Sequence, residues 1–212
     1  MKIEKFVLGS VGTNCYIAVN EETKECFLVD LATYNQEMVN YIKKSGYQVK
    51  GIILTHGHFD HIMGIEEFID EIPTTVYAHE EEEEFLKDPV LNFSTVLGNK
   101  EYSVNEVVFL KELQSFSLAG FEICILHVPG HTPGGCAYYL PSEGVVFTGD
   151  TLFNGSVGRT DFPGGDSEVL LTAIKDKLLV LPEETKVYPG HVESTTIGKE
   201  KKVNPFLRGW SC

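Results

Sequence analysis

Thr55-His56-Gly57-His58-Phe59-Asp60-His61 places three histidines and an aspartate within seven residues. The apolar run Ile52-Ile53-Leu54 leads into it and reads as a short buried strand over 49–54. The polar cluster therefore falls where that strand ends. His56 and His58 are two apart, so they share a face of an extended backbone and would diverge on a helix. Gly57 between them lets the chain bend around an ion. Asp60 and His61, past the strand end, can turn toward a second ion beside the first. Imidazole and carboxylate suit zinc, iron or manganese, and the group holds no thiolate.

Further candidates follow downstream, each after an apolar strand. They are His131 in Pro129-Gly130-His131-Thr132-Pro133-Gly134, Asp150 in Thr148-Gly149-Asp150, and His191 in Pro189-Gly190-His191. Five of the seven histidines fall in these three motifs and the Thr55–His61 cluster taken together. Gly130, Gly149 and Gly190 each precede a ligand-type residue, where the backbone must turn tightly to aim it. Pro129 and Pro189 stiffen two of these turns. Two cations held side by side repel, and a carboxylate such as Asp150 has two oxygens with which to bridge them. The combination reads as a two-metal hydrolytic site.

Composition bounds the rest. The 212 residues, 42% apolar and 23% charged, fit one domain spanning 1–212 with a sizeable core. The formal charge of −14 argues against general binding of nucleic acid, whose phosphates need a basic surface. No apolar run approaches the roughly 20 residues of a membrane span. Met1–Leu8 is too short and charged for a secretory signal, so a cytoplasmic address is expected.

Cys15, Cys26, Cys124, Cys136 and Cys212 show no C-x-x-C spacing, which indicates neither a disulfide framework nor a thiolate zinc site. The first three read as buried strand residues. Cys136 either packs or approaches the site. The run Glu80–Glu84 reads as a solvated helix face, and His79 and His127 as structural histidines. Residues 185–212 are net +3 and either face an anionic substrate or form plain surface. Arg159, on a Gly-rich loop, either clamps an anionic substrate or buttresses the Asp150 loop.

The first fifty residues read as a β-meander, with strands at Lys2–Leu8, Cys15–Val19 and Cys26–Val29, then a helix over Tyr34–Lys44 ended by Gly46. After the histidine cluster, Ile62, Ile65, Phe68 and Ile69 share one helical face. Phe121–Val128 leads to His131, and Cys136–Leu140 with Gly144–Phe147 forms a hairpin ending at Asp150. A helix over 167–180, capped by Asp166 or Ser167, precedes the strand 186–188 that delivers His191. Strands grouped this way fit two packed sheets with helices on both outer faces.

The T-H-x-H-x-D-H signature, followed in order by His131, Asp150 and His191, resembles the metallo-β-lactamase superfamily over nearly the whole chain. That resemblance implies a mixed α/β fold, an αββα four-layer sandwich with metals at one edge of the two sheets. It gives His56, His58 and His131 to a first ion, Asp60, His61 and His191 to a second, and Asp150 to both.

Gly158-Arg159-Thr160-Asp161-Phe162-Pro163-Gly164-Gly165-Asp166 looks like the small hydrolases close to glyoxalase II and to the persulfide dioxygenases, and Thr195-Thr196-Ile197-Gly198…Asn204-Pro205-Phe206-Leu207 has the same character. The implied activity is cleavage of hydroxyacyl-glutathione-like thioesters. Two divalent ions would serve it, zinc first with iron or manganese as alternatives. A hydroxide between them would attack, with Asp60 and Asp150 as catalytic carboxylates.

The partner is then a small molecule, an anionic thioester, with oligomeric state left open. The alternatives are a mononuclear-iron persulfide dioxygenase using His56, His131 and Asp150, and a lactonase or other ester hydrolase of the same superfamily. A β-lactamase is set aside for want of a signal peptide. Glyoxalase II itself carries an extra C-terminal helical region that grips glutathione, and 21 residues follow His191 here. A raised KM for glutathione thioesters is therefore expected.

Overall fold

The computed structural model describes residues 1–98, 100–113 and 115–208. A first sheet runs in chain order through β1 (Lys2–Leu8), β2 (Thr13–Val19), β3 (Glu25–Val29), β4 (Gln48–Ile53), β5 (Val76–His79) and β6 (Val108–Leu110). The later strands are β7 (Ser115–Leu118), β8 (Phe121–His127), β9 (Cys136–Leu140), β10 (Val145–Gly149), β11 (Leu152–Phe153), β12 (Ser156–Val157), β13 (Lys186–Pro189) and β14 (Thr195–Thr196). Six of them make a second sheet in the order β14-β13-β10-β9-β8-β7, while β11 and β12 pair as a small ribbon. The helices are α1 (Gln36–Ser45), α2 (Phe59–Ile62), α3 (Ile65–Glu71), α4 (Glu83–Lys87), α5 (Ser94–Leu97), α6 (Ser167–Ala173) and α7 (Ile197–Val203).

Period-two alternation sorts the strand side chains into separate cores. Ile17, Leu28 and Ile52 pack outward against Met38 and Ile42 of α1 and Phe68 of α3. Their chain neighbours Tyr16, Ala18, Phe27 and Ile53 face the other way and meet Ile123, Ile125, Tyr138 and Phe147 of the second sheet. On that sheet's far side Ala137, Val146 and Val187 bury against Leu170, Ile174 and Ile197. Three apolar layers separated by two sheets make the αββα sandwich of the α/β class.

Strand direction decides where the candidate ligands go. β10 and β13 are parallel, and β8 and β10 are both antiparallel to β9. Consequently β8, β10 and β13 all finish at one edge, which receives His131, Asp150 and His191. β4 brings Thr55–His61 to the same place from the first sheet. Cys136 N–H donates to the Thr55 carbonyl at 2.9 Å, the Tyr138 hydroxyl to the Leu54 carbonyl at 2.8 Å, and Asn14 N–H to the Gly190 carbonyl at 2.7 Å. These bonds join the two sheets beneath the site.

The helix ends follow side-chain capping. Asn35 accepts from Met38 N–H at 2.8 Å, and Gly46 closes α1 with φ of 70°. Asp166 caps α6 by accepting from Glu168 N–H and Val169 N–H. Two helices differ from the periodicity reading. The face containing Ile62, Ile65 and Phe68 is divided between α2 and α3, because Gly64 N–H is taken by the Leu31 carbonyl at 2.9 Å. The helix expected over 167–180 is α-helical only to Ala173 and continues as a wider i→i+5 turn over Ile174–Leu178, which keeps both of those residues buried.

Cys15, Cys26 and Cys136 are buried, whereas Cys124 is half-buried and so departs from the expected core position; Cys212 lies outside the described residues. No helix of the described residues is long and apolar enough to cross a membrane.

Candidate metal centre

Asp30, immediately after β3, organises the turn that follows β4. One of its oxygens accepts from Thr55 N–H, and the other accepts from the Thr55 hydroxyl and the His61 Nδ1–H, all at 2.8 Å. Past Thr55 the chain turns into α2, whose first turn holds Asp60 and His61. The expected tight turns are present at the other motifs. Gly130 and Gly149 have φ of 118° and 49°, and a Cβ on Gly190 would lie 2.3 Å from Asp150 Oδ1. Each of these positions favours glycine.

The turns bring all seven candidate ligands together. His58 Nδ1 lies 2.9 Å from His131 Nε2. Asp150 Oδ2 lies 3.3 Å from His191 Nε2 and 3.8 Å from His131 Nε2, while Oδ1 faces His61 Nε2 at 3.5 Å. Asp60 Oδ2 is 3.3 Å from His191 Nε2 and accepts from the Thr13 hydroxyl at 2.8 Å. Three groups have donor atoms within 4.8 Å of one another: His56/His58/His131, His56/His61/Asp150 and Asp60/His61/His191.

The hydrogen bonds on the far side of each ring set its tautomer. His131 Nδ1 donates to the Arg159 carbonyl at 2.8 Å and His61 Nδ1 to Asp30. The Thr55 hydroxyl hydrogen is committed to Asp30, so His56 Nδ1 at 3.1 Å donates to that oxygen. In each case Nε2 is the nitrogen turned toward the other candidate ligands. His56 Nε2, His61 Nε2 and Asp150 Oδ1 are buried with no hydrogen-bond partner. Buried polar atoms are rarely left so, and three that converge fit divalent cations.

The charge balance asks for the same thing. Burial pushes the pKa of His61 down, but Asp30, Asp60 and Asp150 outweigh it and hold the ring well above the ordinary histidine range. Burial likewise opposes charge on His191, yet hydrogen bonds to Asp150 and Asp60 raise it to about 10. Burial pushes Asp60 and Asp150 up, and the adjacent His61 more than offsets this, holding both carboxyls below the usual carboxylate range. Burial keeps His56 neutral and lowers His58 to about 3. The metal-free cluster thus sets neutral His56 and His58 beside ionised carboxylates whose charge is met by protons on His61 and His191, positive charge that divalent cations would replace.

A cleft of about 590 Å³ opens onto Asp60, Asp150 and three of the histidines. Its walls are mostly apolar, including Phe93 and Phe162 with ring centroids 4.2 Å apart. Arg159 stacks 3.7 Å from the Phe162 centroid. Its guanidinium bonds Asp161 through two 2.8 Å contacts and makes none to the Asp150 loop, although its carbonyl orients His131. In the basic tail, Lys199 donates to the cleft-lining Asn154 at 2.8 Å, and Lys202 is paired with Glu183. His79 and His127 stack on each other, 4.1 Å apart, outside the three donor groups. Cys136 packs at the sheet junction and does not line the cleft.

Two site residues escape the sequence reading. Asp30 has a faint signal, a carboxylate interrupting the apolar run from Cys26 to Ala32. Glu82 has none, because it sits among five consecutive glutamates. The run Glu80–Glu84 was expected to be solvated, and here the structure corrects the reading. Glu82 is 1% exposed and accepts from Gly57 N–H, the Thr132 hydroxyl and Gly134 N–H. Burial raises its pKa to about 7 against the pull of those three donors.

The family described as "Metallo-beta-lactamase superfamily" matches residues 8–191. The chain is 37% identical to the probable metallo-hydrolase YqgX of Bacillus subtilis over the full length of both proteins. It is 34% identical to the hydroxyacylglutathione hydrolase GloC of Haemophilus influenzae, again over the whole of both. Among solved structures, the BLEG-1 B3 metallo-beta-lactamase superposes with a TM-score of 0.93 at 38% identity, covering 98% of this chain and 100% of that one. TTHA1623 in a di-iron-bound form superposes with a TM-score of 0.85 at 34% identity, covering 96% and 100%. With its fold, its motif order and the match over residues 8–191 in agreement, this chain belongs to the metallo-beta-lactamase superfamily.

Proposed function

We propose that this protein is a metal-dependent hydrolase of thioesters, of the hydroxyacyl-glutathione kind. The observation that carries the reading is the convergence of His56 Nε2, His61 Nε2 and Asp150 Oδ1, buried without hydrogen-bond partners, beside a substrate-sized cleft that Asp150 lines. His56, His58 and His131 would hold one ion, Asp60, His61 and His191 a second, and Asp150 both. Divalent ions in those positions supply an activated water and a Lewis acid for the scissile carbonyl. Zinc fits the nitrogen and oxygen donors, as do iron and manganese, and the di-iron form of TTHA1623 adds weight to iron. Because the seven residues come from both sheets, we read 1–212 as one working domain.

The chain's own groups fit this chemistry. Asp60 and Asp150 line the cleft, and in this reading they would be the carboxylates that take a proton from the attacking water. Among the described residues that line the cleft, Ser156 carries the one hydroxyl, which donates to the Val157 carbonyl, and no thiol is present. A thiolate of pKa about 8.5 leaves without strong acid assistance. The full-length similarity to GloC, named a hydroxyacylglutathione hydrolase, supports the thioester as substrate. The name of BLEG-1 makes a β-lactam the second substrate class to be measured.

The test is a panel assayed with metal-replete protein: S-lactoylglutathione, simpler thioesters, a lactone, a chromogenic cephalosporin, and glutathione persulfide in an oxygen electrode. Thioester cleavage without oxygen uptake, abolished by chelator and restored by metal, is expected. KM for glutathione thioesters should be high, since the guanidinium that lines the cleft is already bonded to Asp161. Inert thioesters with rapid oxygen uptake, or a cephalosporin cleaved faster than any thioester, would overturn the proposal.

A further inference from the structure

Glu82 is a fully buried carboxylate with no cation among its hydrogen-bond partners. Burying such a group costs several kcal/mol unless its oxygens are well satisfied. One oxygen accepts from Gly57 N–H at 2.7 Å. The other accepts from the Thr132 hydroxyl at 3.0 Å and from Gly134 N–H at 2.8 Å. Gly57 lies between His56 and His58, and Thr132 follows His131. The two loops come from different sheets, and this side chain spans them. The contact is close: a Cβ on Gly134 would lie 2.2 Å from the Glu82 nitrogen.

We propose that Glu82 is a positioning residue for the three-histidine group, a clip that sets the approach of His58 to His131. The inference rests on the two-ion reading above. It separates Glu82 from Asp30, whose bonds go to Thr55 and His61. A glutamine has the same shape but offers one acceptor oxygen and one NH₂ group. Either orientation therefore sets an NH₂ against a backbone N–H, and one end of the clip opens.

Zinc affinity measured by competition with a chelator provides the test. A His191→Ala background leaves the three-histidine group, and a His131→Ala background leaves the Asp60/His61 side. Glu82→Gln should weaken zinc binding about 10- to 100-fold in the first background, the usual range for a residue behind a ligand. In the second it should change affinity less than about twofold, well below that range. Equal loss in both backgrounds, or no loss in the first, would overturn the clip. So would a fall in metal-free melting temperature with both affinities unchanged, which marks a merely structural role.

If Glu82→Gln does not fold, Thr132→Val removes one bond of the clip. It should weaken zinc only where the three histidines remain, and an unchanged affinity there would reject the proposal. The unmutated chain is measured alongside: failure to take two zinc ions would defeat the two-ion reading and the clip together, whereas two ions with an indifferent Glu82 would defeat the clip alone.

Discussion

Asp150 faces both halves of the candidate centre, with Oδ2 toward His131 and His191 and Oδ1 toward His61. Asp150→Asn keeps the volume and removes the charge that would offset two cations. Turnover should fall at least about 100-fold and one ion should bind weakly, more than the loss typical of residues behind the ligands. His79→Gln, outside the cluster, serves as the control and should leave metal content unchanged. Retention of both ions and near-normal rates in Asp150→Asn would contradict a bridging role. At this scale the sequence was most legible where ligand-type residues sit in short local motifs, since strand-end turns specify them within a few positions. Asp30 and Glu82 act through partners 25 to 52 residues away. No local pattern can announce such roles, and Glu82 was further hidden by identical neighbours.

At the scale of elements, the loop between β8 and β9 meets the start of α6 directly. A Cβ on Gly130 would lie 2.5 Å from the Leu170 nitrogen, and the residue's φ of 118° is itself unfavourable for other side chains. Gly130→Ala should therefore destabilise the fold by at least about 2–3 kcal/mol, combining backbone strain with a clash against α6. Denaturant unfolding checks this, and a change below about 0.5 kcal/mol, the size of an ordinary surface substitution, would contradict the packing described.

Strands β2, β3, β8 and β9 were readable within a residue or two because each is a short, largely apolar run bounded by turn residues. Strands β5 and β6, of four and three residues, carry too few positions to show a period and escaped the reading. The break between α2 and α3 comes from a tertiary bond to Leu31, so helical spacing alone could not reveal it.

Across the whole molecule, the two sheets are held together at the edge where three carboxylates, buried Asp30 and Asp60 and partly buried Asp150, crowd His61. Cations bound among them would hold the two sheets together more strongly than the protonated histidines do, so metal binding and folding stability should be coupled. At a free metal concentration about 1,000-fold above Kd each ion would add about 4 kcal/mol. For a chain of this size that raises the melting temperature by roughly 10 °C.

The layer order was legible from the grouping of strands and helices, whereas the meeting of both sheets at one edge depends on parallel and antiparallel pairings that no single segment encodes. Elemental analysis of untagged protein purified under metal-replete conditions, with the melting temperature read before and after chelation, tests the two-ion centre most directly. The account expects close to two zinc, iron or manganese ions per chain and a large fall in melting temperature on chelation. One ion or fewer, with a melting temperature indifferent to chelator, would contradict it.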